Sequence, residues 1–288
     1  MTAGLRTRLS EPGAIVALGA HDGLTAKIAE RAGIEALYHG GYAAAAHHFG
    51  LPDVGLVGRA EMVESVRRMR AATTLPIVAD ADTGYGSEAG VWLTVRELEG
   101  AGANAVQIED QVAPKRCGHL SGHQIVPLGE FAGKVRAAVE ARRDPDLMII
   151  ARTDAISAVG FDEALRRGEA VARAGADVLF VEAPRDEMQV ERIARAFDVP
   201  LLYNYASGGR SPLLPFAQLR ALGYAILILP IDTLLVATRA MADFLAGLRE
   251  RDEVRGLPTP SISFADFNEL IGTTEQVTLA ERYRSIPE

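Results

Sequence analysis

The chain has 288 residues, of which 48% are hydrophobic and 24% are charged, with 28 glycines, 14 prolines and a single cysteine. This composition is typical of a globular protein and excludes a disordered, collagen-like or coiled-coil chain, while one cysteine excludes an internal disulfide framework and a cysteine-rich zinc module. The formal net charge of -8 argues against a strongly basic nucleic-acid surface and leaves a small anionic substrate open.

The beginning of the sequence and its apolar runs give no sign of targeting or membrane insertion. Residues 1–10 include arginines but no apolar core of signal-peptide length. The longest apolar run, Tyr224 to Ile231, is far shorter than the ~20 residues that a membrane helix needs. We therefore predict a soluble, cytoplasmic protein with no membrane or nucleic-acid partner.

Short apolar runs recur along the chain and are separated by stretches with helical patterning. The runs are apolar throughout rather than alternating, which is typical of parallel strands that are buried on both faces. Eight strands are predicted, in chain order: Ala14–Leu18, Ala36–Tyr38, Ile77–Ala79, Ala105–Ile108, Leu147–Ala151, Val178–Val181, Leu201–Tyr203 and Ala225–Leu229. The stretches between them predict helices that include Glu61–Arg70, Val91–Glu99, Phe131–Arg142, Asp162–Arg173 and Thr233–Leu248.

Glycines mark the joints of this pattern. Four predicted helices end in a glycine directly before a strand, where glycine accepts the left-handed conformation that ends a helix. They are Gly33, Gly102, Gly175 and Gly223. Eight strand–helix units over roughly 250 residues predict an α/β fold, the (β/α)8 TIM barrel. An open doubly wound sheet is the alternative, but no glycine-rich phosphate loop follows the first strand.

The barrel is predicted to occupy residues 1–255, and residues 256–288 to form a C-terminal helical arm of the same domain. The arm begins with Gly256-Leu257-Pro258-Thr259-Pro260, which is typical of a linker. Two helical stretches follow, Phe264–Ile271 and Val277–Tyr283, and they are apolar enough to need a surface to pack on. We predict a subunit interface there; a helix folded back on its own barrel is the alternative.

Polar side chains follow five consecutive predicted strands, the third to the seventh. In a TIM barrel, residues at these C-terminal strand ends surround the active site. A single Asp in such a place is more often a helix cap or a turn residue, but that does not explain five strand ends in succession. The residues are Asp80, Asp82, Glu109, Asp110, Arg152, Asp154, Glu182 and Asn204.

This carboxylate-rich rim predicts a Mg²⁺ site that also binds an anionic substrate. Clustered carboxylates without Cys or His on the same strands suit a hard cation with oxygen ligands, and Mg²⁺ needs few direct protein ligands. Arg152 lies in the same ring. Its guanidinium group would then bind a substrate carboxylate through two parallel hydrogen bonds.

The loop after the fourth predicted strand holds the only cysteine of the chain, within Lys115-Arg116-Cys117-Gly118-His119. Two cations precede Cys117, and a histidine follows two residues later. Nearby positive charge favours the thiolate and lowers the pKa of a thiol, so we expect Cys117 to exchange protons near neutral pH. A lone cysteine is more often a small buried hydrophobe. The charged and glycine-flanked surroundings weigh against that here.

These segments resemble the isocitrate lyase/phosphoenolpyruvate mutase superfamily over nearly the whole chain. The Lys-Arg-Cys-Gly-His segment is the most specific, and it resembles the mobile active-site loop of the carbon–carbon lyases of that superfamily. Carboxyphosphonoenolpyruvate mutase carries a very similar loop. The other matching segments are Leu51-Pro52-Asp53, Asp80 to Gly86, Glu109-Asp110-Gln111 and Ala151 to Asp154.

The resemblance implies a barrel whose last helix is exchanged between the subunits of a homotetramer. It also implies a Mg²⁺ ion held by Asp82, with Asp53, Asp80 and Glu109 acting largely through bound water. The 2-oxoacid carboxylate would bind Arg152 and the backbone at Gly40, Gly41 and Tyr42. The other product would bind Lys115, Gly118, His119 and Asn204, and Glu182 would support the site.

The implied reaction cleaves a 2-hydroxy di- or tricarboxylate, with 2-methylisocitrate as the first expectation and an alkylmalate as the second. It would yield pyruvate or glyoxylate and another carboxylate. Tyr38 is expected to take the hydroxyl proton, and the thiol of Cys117 to protonate the leaving carbon. One alternative is a different enzyme of the superfamily: either a mutase that forms a P–C bond, or a hydrolase that acts on oxaloacetate. A barrel that binds without catalysis is another, against which four intact residues argue: Asp82, Glu109, Cys117 and Arg152.

The chain departs from the superfamily pattern at three places. Gly40 stands in place of the usual Ser in the backbone segment that would bind the 2-oxoacid carboxylate. After the seventh strand, Ser207 stands in place of a Glu. After the first strand, where Tyr or Asn is common, this chain has His21. His47 and His48 resemble a metal-binding pair, but adjacent residues point to different sides of a helix. We therefore favour a polar helix or an interface for these two histidines.

Overall fold

The structure, a computed structural model, describes residues 4–9, 11, 13–118, 120, 122–251, 253–254 and 261–284. Eight parallel strands form one closed barrel in which each strand pairs with its neighbours in sequence and the last pairs with the first. They are β1 (Ile15–Gly19), β2 (Ala36–His39), β3 (Ile77–Asp80), β4 (Ala105–Glu109), β5 (Met148–Thr153), β6 (Val178–Val181), β7 (Leu201–Asn204) and β8 (Tyr224–Leu229). The predicted (β/α)8 barrel is confirmed, and each strand begins and ends within two residues of its predicted bounds.

Helices alternate with these strands along the chain. They are α1 (Leu5–Leu9), α2 (Gly23–Arg31), α3 (Gly41–Ala44), α4 (Arg59–Ala72), α5 (Glu88–Ala101), α6 (Leu128–Ala141), α7 (Ala155–Ala158), α8 (Phe161–Arg173), α9 (Glu187–Ala196), α10 (Phe216–Ala221), α11 (Asp232–Arg251), α12 (Phe264–Ile271) and α13 (Thr273–Arg284). A π-helical turn, Ala45–Phe49, directly continues α3. The predicted helices correspond to α4, α5, α6, α8 and α11, and the two tail helices to α12 and α13.

Left-handed glycines join helices to strands, as the sequence predicts. Gly102 ends α5 with φ 97°, and its N–H donates to the carbonyl of Glu99. A Cβ at Gly102 would also lie 2.4 Å from Cγ of Arg70, so the position excludes larger residues on two grounds. The other three predicted glycines, at 33, 175 and 223, have positive φ as well. The chain can therefore pass from helix to strand in two to four residues.

Side chains fill the interior of the barrel. Small residues (Ala17, Ala36 and Ala105) lie beside large ones (Met148 and Phe180), and all five are at most 1% exposed. Such interleaving makes the inside of a TIM barrel a packed core, so polar chemistry is confined to the C-terminal rim of the strands. The strand ends therefore determine where a substrate can bind.

The chain divides into two compact units, residues 1–234 and 235–288, and the division lies inside α11. The predicted linker at residues 256–260 lies outside the described residues. In the second unit, the described residues of α12 and α13 include none that is buried, and Phe264 is 86% exposed. Exchange of this arm between subunits stays a prediction. In the part of the chain that the structure describes, no helix is long and apolar enough to cross a membrane.

Candidate active site

The C-terminal ends of β2 to β7 bring together most of the residues that the sequence singles out. Carboxylates, an arginine and an amide from different strands meet at one rim, and a lysine from the loop after β4 joins them. Each of these side chains is at most 9% exposed. They are Asp53, Asp80, Asp82, Glu109, Lys115, Arg152, Glu182 and Asn204.

Asp80 organises the β2–β3 side of this cluster through three hydrogen bonds. Its Oδ1 accepts from Nε2 of Gln107 at 3.0 Å and from the N–H of Asp82 at 3.1 Å, and its Oδ2 accepts from the N–H of Gly41 at 3.2 Å. The hydroxyl of Tyr38 donates to Oε1 of Gln107 at 3.1 Å. Burial, with the nearby Asp80, raises the pKa of Tyr38 well above its usual value, so this phenol keeps its proton. In the structure the hydroxyl of Tyr38 is thus a hydrogen-bond donor to Gln107, and its role as the base stays a prediction.

Asp82 is held in a left-handed backbone conformation with φ 49°, which is uncommon outside glycine and clusters at functional sites. Its Oδ2 accepts a hydrogen bond from the hydroxyl of Tyr85 at 2.9 Å. Its Oδ1 lies 2.6 Å from Nζ of Lys115, and the same ammonium group lies 2.7 Å from Oδ1 of Asp53. A positive charge therefore sits between two carboxylates that come from different loops.

Negative charge exceeds positive charge in the cluster. Among the described residues that line it, six buried carboxylates surround two buried cations, Lys115 and Arg152. Burial raises the pKa of Asp82 to about 6, despite Lys115, and raises that of Glu109 well above its usual value. The carboxylates are Asp53, Asp80, Asp82, Glu109, Asp154 and Glu182. A further cation would relieve this imbalance.

The donor set fits a divalent cation. Oε1 of Glu109 is buried and has no hydrogen-bond partner among the residues that the structure describes. Asp82 and Asp53 share the ammonium group of Lys115, and carboxylate oxygens are the ligands that Mg²⁺ prefers. The residues that would hold Mg²⁺ are Asp82 together with Asp53, Asp80 and Glu109.

Carboxylates surround the guanidinium group of Arg152. Its Nε and Nη2 donate to the two oxygens of Asp154 at 3.0 and 2.9 Å, and oxygens of Glu109 and Glu182 lie 3.4 and 3.3 Å away. The guanidinium carbon lies 5.1 Å from the ring centre of Phe180. Burial alone would lower the pKa of Arg152, but these carboxylates raise it well above its usual value. Arg152 therefore stays charged and can pair with a substrate carboxylate in the way it pairs with Asp154.

The role of Asp154 was not predicted from the sequence, and neither was the support behind it. Asp110 accepts hydrogen bonds from the hydroxyl of Thr153 at 2.6 Å and from the N–H of Asp154 at 2.9 Å. On its other side, Asp110 pairs with Nη1 of Arg167, on α8, at 3.0 Å. This chain of contacts fixes the end of β5 against a helix. The signal in the sequence was an Asp at two neighbouring strand ends, but spacing alone does not say which groups they bind.

Glu182 and Asn204 complete the cluster at the C-terminal ends of β6 and β7. Oε1 of Glu182 accepts from the N–H of Ala183 at 2.8 Å, and Oε2 accepts from Nδ2 of Asn204 at 3.0 Å. Ser207, one of the three departures, donates its hydroxyl hydrogen bond to Asp232 at the start of α11. The position at which the resemblance leads to a Glu is thus tied to the next helix in this chain.

The backbone after β2 approaches the carboxylates closely. A Cβ at Gly41 would lie 3.1 Å from Oδ1 of Asp82, and one at Gly40 would lie 2.8 Å from the ring of Tyr38. Both glycines are buried, whereas Tyr42 is 40% exposed. At this strand end the main chain, rather than a side chain, is next to the cluster.

The loop after β4 is folded over the cluster. The side chain of Gln111 fixes its base, because it accepts from the N–H of Arg116 at 3.0 Å and donates to the carbonyl of Arg116 at 2.9 Å. The N–H of Cys117 donates to the carbonyl of Asp53 at 3.2 Å, and the carbonyl of Cys117 lies 3.0 Å from Nε2 of His123. These contacts hold Cys117, which is half-buried, beside the segment that carries Asp53.

Gly118 fits the loop against the arginine. A Cβ at this position would lie 2.1 Å from Nη2 of Arg152 and 2.8 Å from Oδ1 of Asp154. The structure thus brings Lys115, Cys117 and Gly118 to the cluster. His119, which was expected to bind a carboxylate, lies outside the described residues.

Comparisons with known proteins place the chain among enzymes. A family profile described as phosphoenolpyruvate phosphomutase matches residues 5–249. The chain is 46% identical to the 2,3-dimethylmalate lyase of Eubacterium barkeri over 268 residues, which is 93% of each protein. It is 38% identical to a 2-methylisocitrate lyase of Aeropyrum pernix over 93% of this chain and 86% of that one. The structure also matches a solved oxaloacetate acetylhydrolase in complex with the inhibitor 3,3-difluorooxalacetate, with a TM-score of 0.93 and 32% sequence identity. The match covers 100% of this chain and 98% of the hydrolase chain.

Proposed function

Because this chain belongs to the PEP mutase family, within the isocitrate lyase/PEP mutase superfamily, and is an enzyme of the carbon–carbon lyase type, we propose that it cleaves a 2-hydroxy dicarboxylate. The substrate class is an alkylmalate such as 2,3-dimethylmalate, and the products are a 2-oxoacid and a second carboxylate. The observation that carries the proposal is that the loop after β4 places Gly118 against the guanidinium group of Arg152 and Cys117 beside Asp53.

The balance of charges favours a dicarboxylate over a tricarboxylate such as 2-methylisocitrate. A buried substrate carboxylate needs a cation or hydrogen-bond donors opposite it. Among the described residues lining the site, Arg152 and Lys115 are the buried cations, and each already contacts at least two protein carboxylates. Arg152 and Asn204 can meet two substrate carboxylates. A third would add negative charge where it is already in excess.

Mg²⁺ bound by Asp82, with Asp53, Asp80 and Glu109, would supply positive charge that stabilises the substrate oxygen as it loses its proton. Glu109 is the group that we assign to accept this proton, because its Oε1 is buried and accepts no hydrogen bond within the described part of the site. Tyr38, which keeps its own proton, instead positions Gln107 and through it Asp80.

Cleavage breaks the bond between the hydroxyl-bearing carbon and its neighbour. The electron pair of that bond leaves on the neighbouring carbon as the enolate form of the second carboxylate, while the hydroxyl carbon becomes the carbonyl of the 2-oxoacid. Cys117, as the thiol, then donates a proton to the carbanionic carbon. Lys115 offsets the negative charge that develops. By lying against Arg152 and Asp53, the loop would limit the access of water, which would otherwise protonate the enolate without control.

A substrate panel tests this proposal. Purified protein with Mg²⁺ is incubated with 2,3-dimethylmalate, 2-methylisocitrate, isocitrate, citramalate or oxaloacetate, and release of pyruvate or glyoxylate is coupled to a dehydrogenase. We expect the highest kcat/KM with 2,3-dimethylmalate. No 2-oxoacid release from any of the hydroxy acids would contradict the lyase proposal.

Hydrolysis of oxaloacetate is the second candidate function. The likeness to a solved oxaloacetate acetylhydrolase, with a TM-score of 0.93, favours it. The same panel separates the two functions, because hydrolysis of oxaloacetate yields oxalate and acetate. Both products are measured by chromatography, so a hydrolase gives a signal where the dehydrogenase assay stays silent.

We further propose that the enzyme is a cytoplasmic homotetramer in which the C-terminal arm of one subunit packs on another. None of the described residues of α11, α12 or α13 is buried. Apolar side chains along them are largely exposed, among them Val236 at 70%, Leu245 at 60% and Phe264 at 86%. A run of exposed apolar residues of this length is typical of subunit contacts. The single cysteine suits a reducing compartment.

A further inference from the structure

A second group of metal-ligating side chains lies where β1 ends and where the π-helical turn follows β2. It consists of His21, Asp22 and His47, and one potential ligand atom from each lies within 4.8 Å of those from the other two. Nε2 of His47 is 2.9 Å from Oδ2 of Asp22, and the rings of His21 and His47 have centres 4.3 Å apart. None of these residues belongs to the carboxylate cluster described above.

Asp22 presents one oxygen to this group in a fixed direction. It is the N-cap of α2, and its Oδ1 accepts a hydrogen bond from the N–H of Thr25 at 2.6 Å. The capping bond occupies one oxygen and leaves Oδ2 facing His47. Because the cap fixes the carboxylate, little side-chain entropy is lost when Oδ2 binds a ligand.

His21 is a buried imidazole with unused capacity. It is 5% exposed, and its Nδ1 has no hydrogen-bond partner within the described parts of the chain. Its Nε2 makes a long contact of 3.3 Å with the hydroxyl of Thr25. His47 is partly exposed and leaves an entry path from solvent.

The π-helical turn separates the two adjacent histidines. Their ring centres are 5.2 Å apart with the planes at 72°, and Nε2 of His48 lies 3.0 Å from the hydroxyl of Ser65 instead of facing Asp22. The group of potential metal ligands among the described residues contains His47 and leaves out His48. His47 instead meets residues from the preceding strand end. π-Helical turns are rare and are frequent at functional sites.

We propose that His21, Asp22 and His47 form a binding site for a divalent transition metal ion of the Zn²⁺ class, separate from the carboxylate cluster. Two imidazole nitrogens and one carboxylate oxygen are a ligand set that Zn²⁺ accepts, with water in the remaining position, whereas Mg²⁺ prefers oxygen alone. The ion would link the start of α2 to the π-helical turn. That turn leads directly into the segment of Asp53, so the bound ion would stabilise the position of this side of the active site.

The proposal is tested with tag-free, full-length protein that has been stripped with EDTA and then saturated with Mg²⁺ to occupy the carboxylate cluster. Co²⁺ absorption and Zn²⁺ calorimetry report binding. We expect one equivalent of Zn²⁺ per chain, an imidazole-type Co²⁺ spectrum and a rise in Tm with Zn²⁺. His47→Ala should weaken this binding by about tenfold or more. Asp22→Asn retains a helix cap and should also weaken it, so a general loss of folding is not the cause.

Two controls make the outcome decisive. Asp162→Asn removes an exposed carboxylate on α8 that pairs with Arg192, and this variant should bind Zn²⁺ as the parent protein does. Cys117→Ser should also bind normally, because the proposed site contains no thiol. The proposal is overturned if the Mg²⁺-saturated parent binds no Zn²⁺, or if His47→Ala binds it as tightly as the parent. It is also overturned if Cys117→Ser is the variant that loses binding.

Discussion

Gly118 and Arg152 approach so closely that a single methyl group cannot fit between them. A Cβ on Gly118 would lie 2.1 Å from Nη2 of Arg152, well inside van der Waals contact. The guanidinium group cannot move aside freely, because Asp154 holds it with two hydrogen bonds. The position of the loop after β4 is therefore matched to the arginine that we propose binds the substrate.

Gly118→Ala should hold the loop away from the cluster and lower kcat/KM by about 100-fold, the scale of a misplacement of about 1 Å in an active site. The circular dichroism spectrum and Tm should stay near those of the parent, because the loop lies outside the barrel core. Gly129→Ala is the matched control, since a Cβ there meets nothing within 4 Å. Equal activity in Gly118→Ala and Gly129→Ala would show that the loop does not need this close approach.

Cys117→Ser should lower kcat by at least about 100-fold, because a hydroxyl is a far weaker proton donor than a thiol and a general acid contributes roughly 10²–10⁴. Binding of pyruvate and Mg²⁺, measured by calorimetry, should be nearly unchanged, since the contacts of Cys117 with Asp53 and His123 are made by its backbone. Full turnover in this variant would remove Cys117 from the role of proton donor.

The barrel could be predicted from the sequence because its rules are local. A strand buried on both faces must be apolar throughout, and a short helix-to-strand joint needs a left-handed residue such as Gly102. The convergence of Asp80, Glu109 and Arg152 follows in turn, because parallel strands in a barrel end on the same rim.

The contacts within the site could not be predicted in that way. Asp154 and Tyr85 were not recognised as partners of Arg152 and Asp82, since a side chain's direction depends on a backbone angle such as the φ of 49° at Asp82. The proximity of His21 to His47 also depends on a π-helical turn. That conformation is set by packing rather than by the propensity of Ala45 to Phe49.

Removal of metal should abolish activity. We expect no turnover in EDTA and full recovery with excess Mg²⁺, because the excess of buried carboxylates needs a cation. Asp82→Asn should raise the Mg²⁺ concentration for half-maximal activity by about tenfold or more. The exposed Asp162→Asn variant, on α8, should behave as the parent does. Activity that persists unchanged in EDTA would contradict the Mg²⁺ site.

His39 should make the stability of the protein depend on pH. Burial, with the nearby His48, lowers the pKa of His39 to about 4, compared with about 6.5 in an unfolded chain. Between these values the unfolded chain binds a proton that the folded chain does not, so the free energy of unfolding falls as pH falls from about 6.5 to 4. The loss attributable to His39 is on the order of 3 kcal/mol.

His39→Gln, which can still contact the hydroxyl of Ser65, tests this dependence. Urea unfolding between pH 4 and 7 should show a shallower decline for the variant than for the parent. The variant is also expected to be less stable than the parent at pH 7 because its shape differs. Parallel curves for the two proteins over the whole pH range would show that His39 does not titrate on unfolding.

The C-terminal arm should determine the assembly of the protein. Full-length protein should scatter light as a tetramer of 30.7 kDa chains, and truncation after Leu257 should give monomers or aggregates, because it removes α12 and α13. Phe264→Glu is the milder test: Phe264 is 86% exposed, so the charge should break the assembly without unfolding the chain. Met188→Glu, at a 67% exposed apolar residue on α9, is the control and should remain tetrameric. A full-length protein that scatters as a monomer would show instead that the exposed apolar faces of the arm are covered in some way other than by a second subunit.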